Sequence, residues 1–145
     1  MICNSVQETK TFASKLSKKF QKGQVIALIG DLGSGKTTFS QGIAEGLGIK
    51  QHVGSPTFKL VSEYVGEELK IYHVDCYRLN NADDFLNLGG ENLLLPNNGI
   101  TLIEWANIIQ ELWPEDVIEI IFSRVKGEPN KRLLKIRGMN KSNEQ

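Results

Sequence analysis

Residues 30–38 read GDLGSGKTT and directly follow the apolar run Val25–Ile29, VIALI. Gly30, Gly35, Lys36 and Thr37 fill every fixed position of the spacing G-x-x-x-x-G-K-[ST]. Each fixed residue meets a separate physical need. Glycine accepts positive φ, which lets the chain curl until successive N–H groups point inward at an anion. A helix opening at Lys36 adds its own unpaired N–H groups and the positive end of its dipole. The Lys36 ammonium can reach β- and γ-phosphates, and the Thr37 hydroxyl can ligate Mg²⁺. A plain glycine turn has no need of Lys-Thr after its last glycine. The dinucleotide fingerprint G-x-G-x-x-G would need glycine at position 38, where Thr38 stands. The stretch reads as a phosphate cradle.

The flanks supply the context such a cradle requires. Val25–Ile29 is apolar throughout and partly β-branched, which suits a strand buried on both faces of a parallel sheet. A helix is expected from Lys36 to about Leu47, stopped by Gly48. Upstream, Ser5-Val6-Gln7-Glu8 has capping-box spacing. It opens a helix with Phe12, Ala13, Leu16 and Phe20 on one face, ending before Gly23. Downstream, 59–65 and 69–75 read as strands of a hairpin joined at Gly66-Glu67-Glu68. Residues 100–104 form a short buried strand, and 106–113 a helical segment closed by Pro114. Residues 117–124 and 132–137 flank the turn Gly127-Glu128-Pro129-Asn130 as an antiparallel pair. The pattern predicts an α/β fold of the P-loop NTPase type, a three-layer sandwich with a central mixed sheet flanked by helices. It occupies one domain, 1–138, followed by a flexible polar tail, 139–145.

Bulk properties narrow the function. The 145 residues suit a single domain with one core. The 17 basic residues balance 17 acidic ones, so no overall field draws in nucleic acid or anionic lipid. Two cysteines, Cys3 and Cys76, lie far apart without metal-type spacing, which argues against a disulfide framework and for a reducing compartment. The longest apolar run, 25–29, falls far short of the ~20 residues of a membrane helix. The opening MICNSVQETK lacks a positive segment followed by an apolar one. A soluble cytoplasmic protein is expected.

Hydrolysis or transfer at a phosphate loop usually needs acidic groups near the metal. In open α/β sheets ligands sit beyond the carboxyl ends of the strands. Asp75 ends the run LKIYHV and Glu104 ends ITLI. If both strands run parallel to Val25–Ile29, both acids share an edge with Lys36. One such acid alone would read as a surface ion pair; two at equivalent places beside the loop read as metal-site groups. Their individual roles stay open among direct Mg²⁺ ligand, outer-shell acceptor and orienter of attacking water.

With these residues in hand, the chain resembles the TsaE (YjeE) family, bacterial P-loop ATPases needed to make threonylcarbamoyladenosine in tRNA. Four blocks match in order and spacing: GDLGSGKTTF, GSPTFKLVSEY, HVDCYRL and IEWA. The likeness spans nearly the whole chain, and the last three blocks together are far more specific than the loop. The resemblance implies that Gly33, Ser34, Gly35, Lys36, Thr37 and Thr38 hold the phosphates of ATP or ADP. It implies Mg²⁺ on Thr37 and Glu104, Asp75 as the Walker-B-like acid, and Lys36, Asp75 and Glu104 as the catalytic set. Ser55, Pro56 and Thr57 would form a switch-like segment that senses the γ-phosphate. Thr9 and Arg132 match nucleotide contacts near the first helix and last strand. Cys76, where an aliphatic residue is common, reads as a packing thiol; His52, His73, Tyr77, Arg78 and Trp105 read as structural or supporting residues.

The resemblance further implies an ATPase that binds and resets a complex of TsaD and TsaB, with tRNA reached indirectly through that complex. Once sheet and helices are assigned, no lid or separate acceptor domain remains for a second substrate. A phosphate-loop enzyme without a charge-stabilising arginine is slow, so low activity alone and a rise with partners are expected. A P-loop small-molecule kinase is the alternative; it would need an acceptor pocket with its own basic clamp and lid. A GTPase would need N-K-x-D, and Asn130-Lys131-Arg132-Leu133 lacks the aspartate. A nucleotide-binding adaptor without turnover is the non-enzymatic rival.

Overall fold

Val25–Ile29 forms β2, the middle strand of the sheet in the computed structural model, which describes residues 1–31, 33–54 and 60–139. The described residues run in the order β1 (Ile2–Cys3), α1 (Val6–Ser17), β2, α2 (Lys36–Gly46), β3 (Val61–Val65), β4 (Lys70–Asp75) and α3 (Ala82–Asn87). A 3₁₀ turn at Gly90–Leu94, β5 (Gly99–Glu104), a 3₁₀ segment at Ala106–Leu112, β6 (Ile118–Val125) and β7 (Glu128–Arg137) complete it. The strands join as one sheet in the order β1-β7-β6-β2-β5-β4-β3. β2 pairs in parallel with β5 and β6, and β5 with β4; β3, β7 and β1 add antiparallel pairs outside this block. The sheet is mixed, as expected.

β2 sits centrally because neither of its faces carries a polar side chain. Side chains alternate across a strand, and here both sets are buried. Ile26 and Leu28 pack with Ala13, Leu16, Phe39 and Ile43 of α1 and α2. Val25 and Ala27 pack on the opposite face with Phe85, Ala106 and Ile109. Two cores, one on each side of the sheet, make the three layers.

Ser5 caps α1 as its spacing predicts, its Oγ accepting from Glu8 N at 3.1 Å. The Glu8 carboxylate reaches back to Asn4 N, at 3.3 Å, rather than to the cap residue. The helix ends at Ser17, and the amides of Lys18, Lys19 and Phe20 bond three residues back in a tightened last turn. Phe20 thereby still reaches the core. The hairpin β3–β4 forms with its turn between Val65 and Lys70; Lys59, assigned to its first strand, lies outside the described residues.

Several elements differ from the sequence reading. β7 begins at Glu128, not 132, so the turn closes around Lys126 and Gly127. The register jumps from Arg124↔Arg132 to Val125↔Glu128, which leaves residues 129–131 as a bulge. Pro129, which has no N–H to donate, falls inside that irregularity. The segment after Glu104 is 3₁₀ rather than a continuous helix, with Ile109 at φ −113° and Trp113 Nε1 donating to Ala106 O at 2.9 Å. β1, α3 and the turn at Gly90–Leu94 went unread; each is six residues or fewer and carries little periodic signal. Met139, at the head of the polar tail, packs partly buried against the core, and 140–145 lie outside the described residues. Among the described residues no helix is long and apolar enough to cross a membrane.

α1 and α2 approach closely where Gly42 faces α1: a Cβ there would stand 2.6 Å from Lys10 O and 2.7 Å from Ala13 Cβ. Gly42→Ala gains about 1 kcal/mol of helix propensity but incurs about 1–3 kcal/mol of overpacking. The variant is expected to lose about 1 kcal/mol, read as a lower denaturation midpoint at unchanged slope. A midpoint equal to or above wild type would show that the two helices separate freely.

Candidate functional site

The parallel register decides where the acids go. Asp75 pairs with Glu104 across β4 and β5, and Glu104 with Leu28 across β5 and β2. Positions 71, 73 and 75 share a face with 100, 102 and 104, the face covered by α1 and α2. Both acids therefore stand at the same sheet edge as the loop that precedes α2.

The loop is shaped as its composition requires. Gly33 and Gly35 take φ of 76° and 108°, a region costly for any residue with a Cβ. α2 starts from Gly35 without a side-chain cap, so its first-turn N–H groups have no such partner. Ser34 Oγ is buried without a hydrogen-bond partner among the described residues. Unsatisfied donors at a curled loop and helix start are what an anion would satisfy.

Lys36 is only 4 % exposed. Its ammonium donates to Gly30 O and, at 3.1 Å, to Asp31 O, and lies 4.1 Å from the centroid of the Trp105 ring. Burial pulls the Lys36 pKa below its usual value, while Glu104, Asp31 and Asp75 push it back up. Trp105 holds a left-handed backbone, φ 57°, the one non-glycine residue with positive φ among those described. Its ring also packs at 4.9 Å against Tyr77.

Glu104, 3 % exposed, has different neighbours at its two oxygens. Oε1 accepts from Thr37 Oγ1 at 3.4 Å, and Oε2 lies 2.5 Å from Nε2 of the fully buried His73. Asp75 is half-buried and accepts from Tyr77 N at 2.9 Å. Burial raises the Asp75 carboxyl above its usual range; the amide of Tyr77 works against this, Glu104 adds to it, and His73 and Lys36 oppose it. Cys76 is buried, and its thiol is pushed up to about 12 by burial and by neighbouring Asp75. It is a packing thiol, not a nucleophile.

A cleft of about 470 Å³ gathers most of the expected site residues: Gly33, Gly35, Lys36, Thr37, Thr38, Asp75, Glu104 and Arg132. Tyr77, Arg78 and Trp105 complete its wall. Ser34 lies buried within the loop instead. Arg132 comes from β7, donating to Gly33 O at 3.2 Å and to Pro129 O at 2.7 Å. Thr9 does not line the cleft. It is buried in α1, donates to Ser5 O at 3.2 Å, and borders a smaller adjoining space with Gly35, Thr38 and Arg132. Ser55, Pro56 and Thr57 lie outside the described residues.

Sequence reading missed the contact between His73 and Glu104. Its signal was the period of two that puts His73 on the face of Asp75, two positions from the strand end. Among the described residues no group of three or more His, Cys, Asp or Glu side chains could hold a metal ion unaided. Thr37, Glu104 and Asp75 instead offer a partial set of oxygens, which fits a hard cation that completes its shell with phosphate and water.

The family model described as threonylcarbamoyl adenosine biosynthesis protein TsaE matches residues 3–133. The tRNA threonylcarbamoyladenosine biosynthesis protein TsaE of Bacillus subtilis is 44% identical over 119 residues, 81% of this chain and 73% of that protein. Its namesake from Treponema pallidum is 34% identical over 132 residues, 91% of this chain and 96% of that protein. The crystal structure of Bacillus subtilis YdiB superposes with a TM-score of 0.70 at 35% identity, covering 92% of this chain and 80% of that one.

The raised Asp75 pKa has a consequence for stability. The folded chain holds this proton over a window, above the ordinary 3.8, in which the unfolded chain has lost it. The associated stability is full below 3.8 and lost as pH rises through the folded value. Asp75→Asn removes the ionisation and keeps an oxygen for Tyr77 N. It is expected to melt above wild type at pH 7, with the gain closing as pH falls toward 3.8. Thermal unfolding across pH checks this, and a lower melting point at neutral pH contradicts it.

Proposed function

The chain belongs to the TsaE family, and from that premise we propose that it is a magnesium-dependent ATPase serving threonylcarbamoyladenosine modification of tRNA. The observation that carries the ATPase reading is convergence. Lys36 and Thr37 from one loop meet Asp75 and Glu104 from two parallel strands around one cleft.

The N–H groups of Gly33 to Thr38 and the Lys36 ammonium bind the β- and γ-phosphates of ATP. Lys36 exchanges its carbonyl contacts at Gly30 and Asp31 for phosphate oxygens, while the Trp105 face steadies its ammonium. Thr37 and Glu104 would hold Mg²⁺, which would supply charge neutralisation at the transferring phosphoryl group. Asp75 stands beside Glu104 at the same strand ends and orients the attacking water. Ser55 and Thr57 sense the γ-phosphate as a switch-like segment. Thr9 and Arg132 contact the rest of the nucleotide.

Turnover is coupled to TsaD and TsaB, whose complex it resets. Arg132 donates to the main-chain carbonyls of Gly33, Pro129 and Lys131, which holds it against the loop. A partner that supplies or releases an arginine would add about 10³–10⁵ in rate. The even charge balance favours tRNA contact through the partners rather than directly.

The ATPase rate is expected to be low for the isolated protein and to rise at least about tenfold with TsaD and TsaB present. Equal rates with and without them would remove the coupling. Separately, Glu104→Ala and Asp75→Ala are expected to lower turnover by about 10²-fold or more while nucleotide still binds, and Lys36→Ala to lose binding as well. Phosphate release and nucleotide titration distinguish these outcomes; full activity in Glu104→Ala would exclude the metal assignment.

A further inference from the structure

His73 is fully buried in β4, on the face that carries Asp75. It pairs in register with Leu102, so Glu104 is its diagonal neighbour two residues further along β5. The imidazole Nε2 lies 2.5 Å from Glu104 Oε2, on the carboxylate edge away from Thr37. Nδ1 is buried with no hydrogen-bond partner among the described residues. A core-filling role does not need an imidazole here, since an apolar ring would fill the space without stranding a polar atom.

A proton on Nδ1 would find no acceptor among the described residues, and would turn the Nε2 lone pair toward the carboxylate at 2.5 Å. The arrangement favours Nε2–H donating to Glu104. The carboxylate is then held at both oxygens, Oε2 by His73 and Oε1 beside the Thr37 hydroxyl. The Tyr64 ring on the neighbouring strand lies with its centroid 6.5 Å from that of the imidazole.

We infer that His73 is the positioning residue that orients Glu104 for the divalent cation, presenting Oε1 with Thr37 toward the cleft. This rests on the ATPase reading above. Groups that fix a ligating carboxylate from behind are worth about 10–100-fold in metal affinity. His73 touches neither nucleotide nor metal; it acts through Glu104.

The test compares His73→Asn with His73→Gln in the full chain, since a Gln amide reaches the place of Nε2 and an Asn amide only that of Nδ1. Calorimetry with a non-hydrolysable ATP analogue is run in Mg²⁺ and in EDTA. His73→Asn is expected to weaken the Mg²⁺-dependent part of the affinity by about 10–100-fold and to leave the EDTA affinity within about twofold, with His73→Gln recovering most of the loss. Unchanged Mg²⁺ dependence in His73→Asn overturns the inference, as does an equal loss in EDTA. A wild type without Mg²⁺-dependent binding would instead bring down the ATPase reading itself. If the variants do not fold, ¹⁵N NMR of the wild-type imidazole decides: a proton on Nε2 supports the assignment, and a ring protonated on Nδ1 alone overturns it.

Discussion

The parallel pairing of β4 with β5, in the register that sets Asp75 beside Glu104, is the constraint on which the candidate site depends. Because paired residues of parallel strands project from the same face, one register choice places two carboxylates and one imidazole on the α2 side together. A slip of β4 by one residue would turn His73 and Asp75 toward the opposite core and leave Glu104 without them. That core is built of Val25, Ala27, Val74, Ile103 and Phe85, with no room for charge. The apolar side chains of β2, β4 and β5 that pack into the two cores therefore fix the register that places the polar site.

The same burial that fixes the site makes it electrostatically costly. Lys36, Glu104 and His73 are nearly or wholly withdrawn from water, and Asp75 is half withdrawn. Each is answered locally: Lys36 by two carbonyls and a π face, Glu104 by Thr37 and His73, Asp75 by an amide. Where the answers fall short, proton affinities shift, downward for Lys36 and upward for Asp75, both chiefly through lost hydration. Sites of this kind keep strain and unmatched polarity that a purely structural region would shed. The left-handed backbone of Trp105, directly after Glu104, and the Ser34 hydroxyl, which has no partner among the described residues, belong to the same pattern.

The outer strands contribute through irregularity. The bulge opposite Arg124 and Val125 takes residues 129–131 out of register, and Arg132, at its end, reaches Gly33 from across the sheet. A regular hairpin would pair those residues along the ladder instead. The phosphate loop is thus braced on one side by β7 and on the other by the strand ends of β4 and β5.

Much of this was legible in the amino-acid order alone. The loop at 30–38, the doubly buried strand at 25–29, the helix after Lys36 and the strand-end acids Asp75 and Glu104 each rest on local rules. Glycine conformation, side-chain alternation and helix-start chemistry act within a few residues of chain. The bond between His73 and Glu104, the reach of Arg132 to Gly33, the contacts of Trp105 with Tyr77 and Lys36, and the 3₁₀ form of the segment after Trp105 were decided by tertiary structure. Those contacts join residues 28 to 99 positions apart, and the 3₁₀ segment folds against them. Strand register and packing, not neighbouring sequence, determine which side chains meet over such separations.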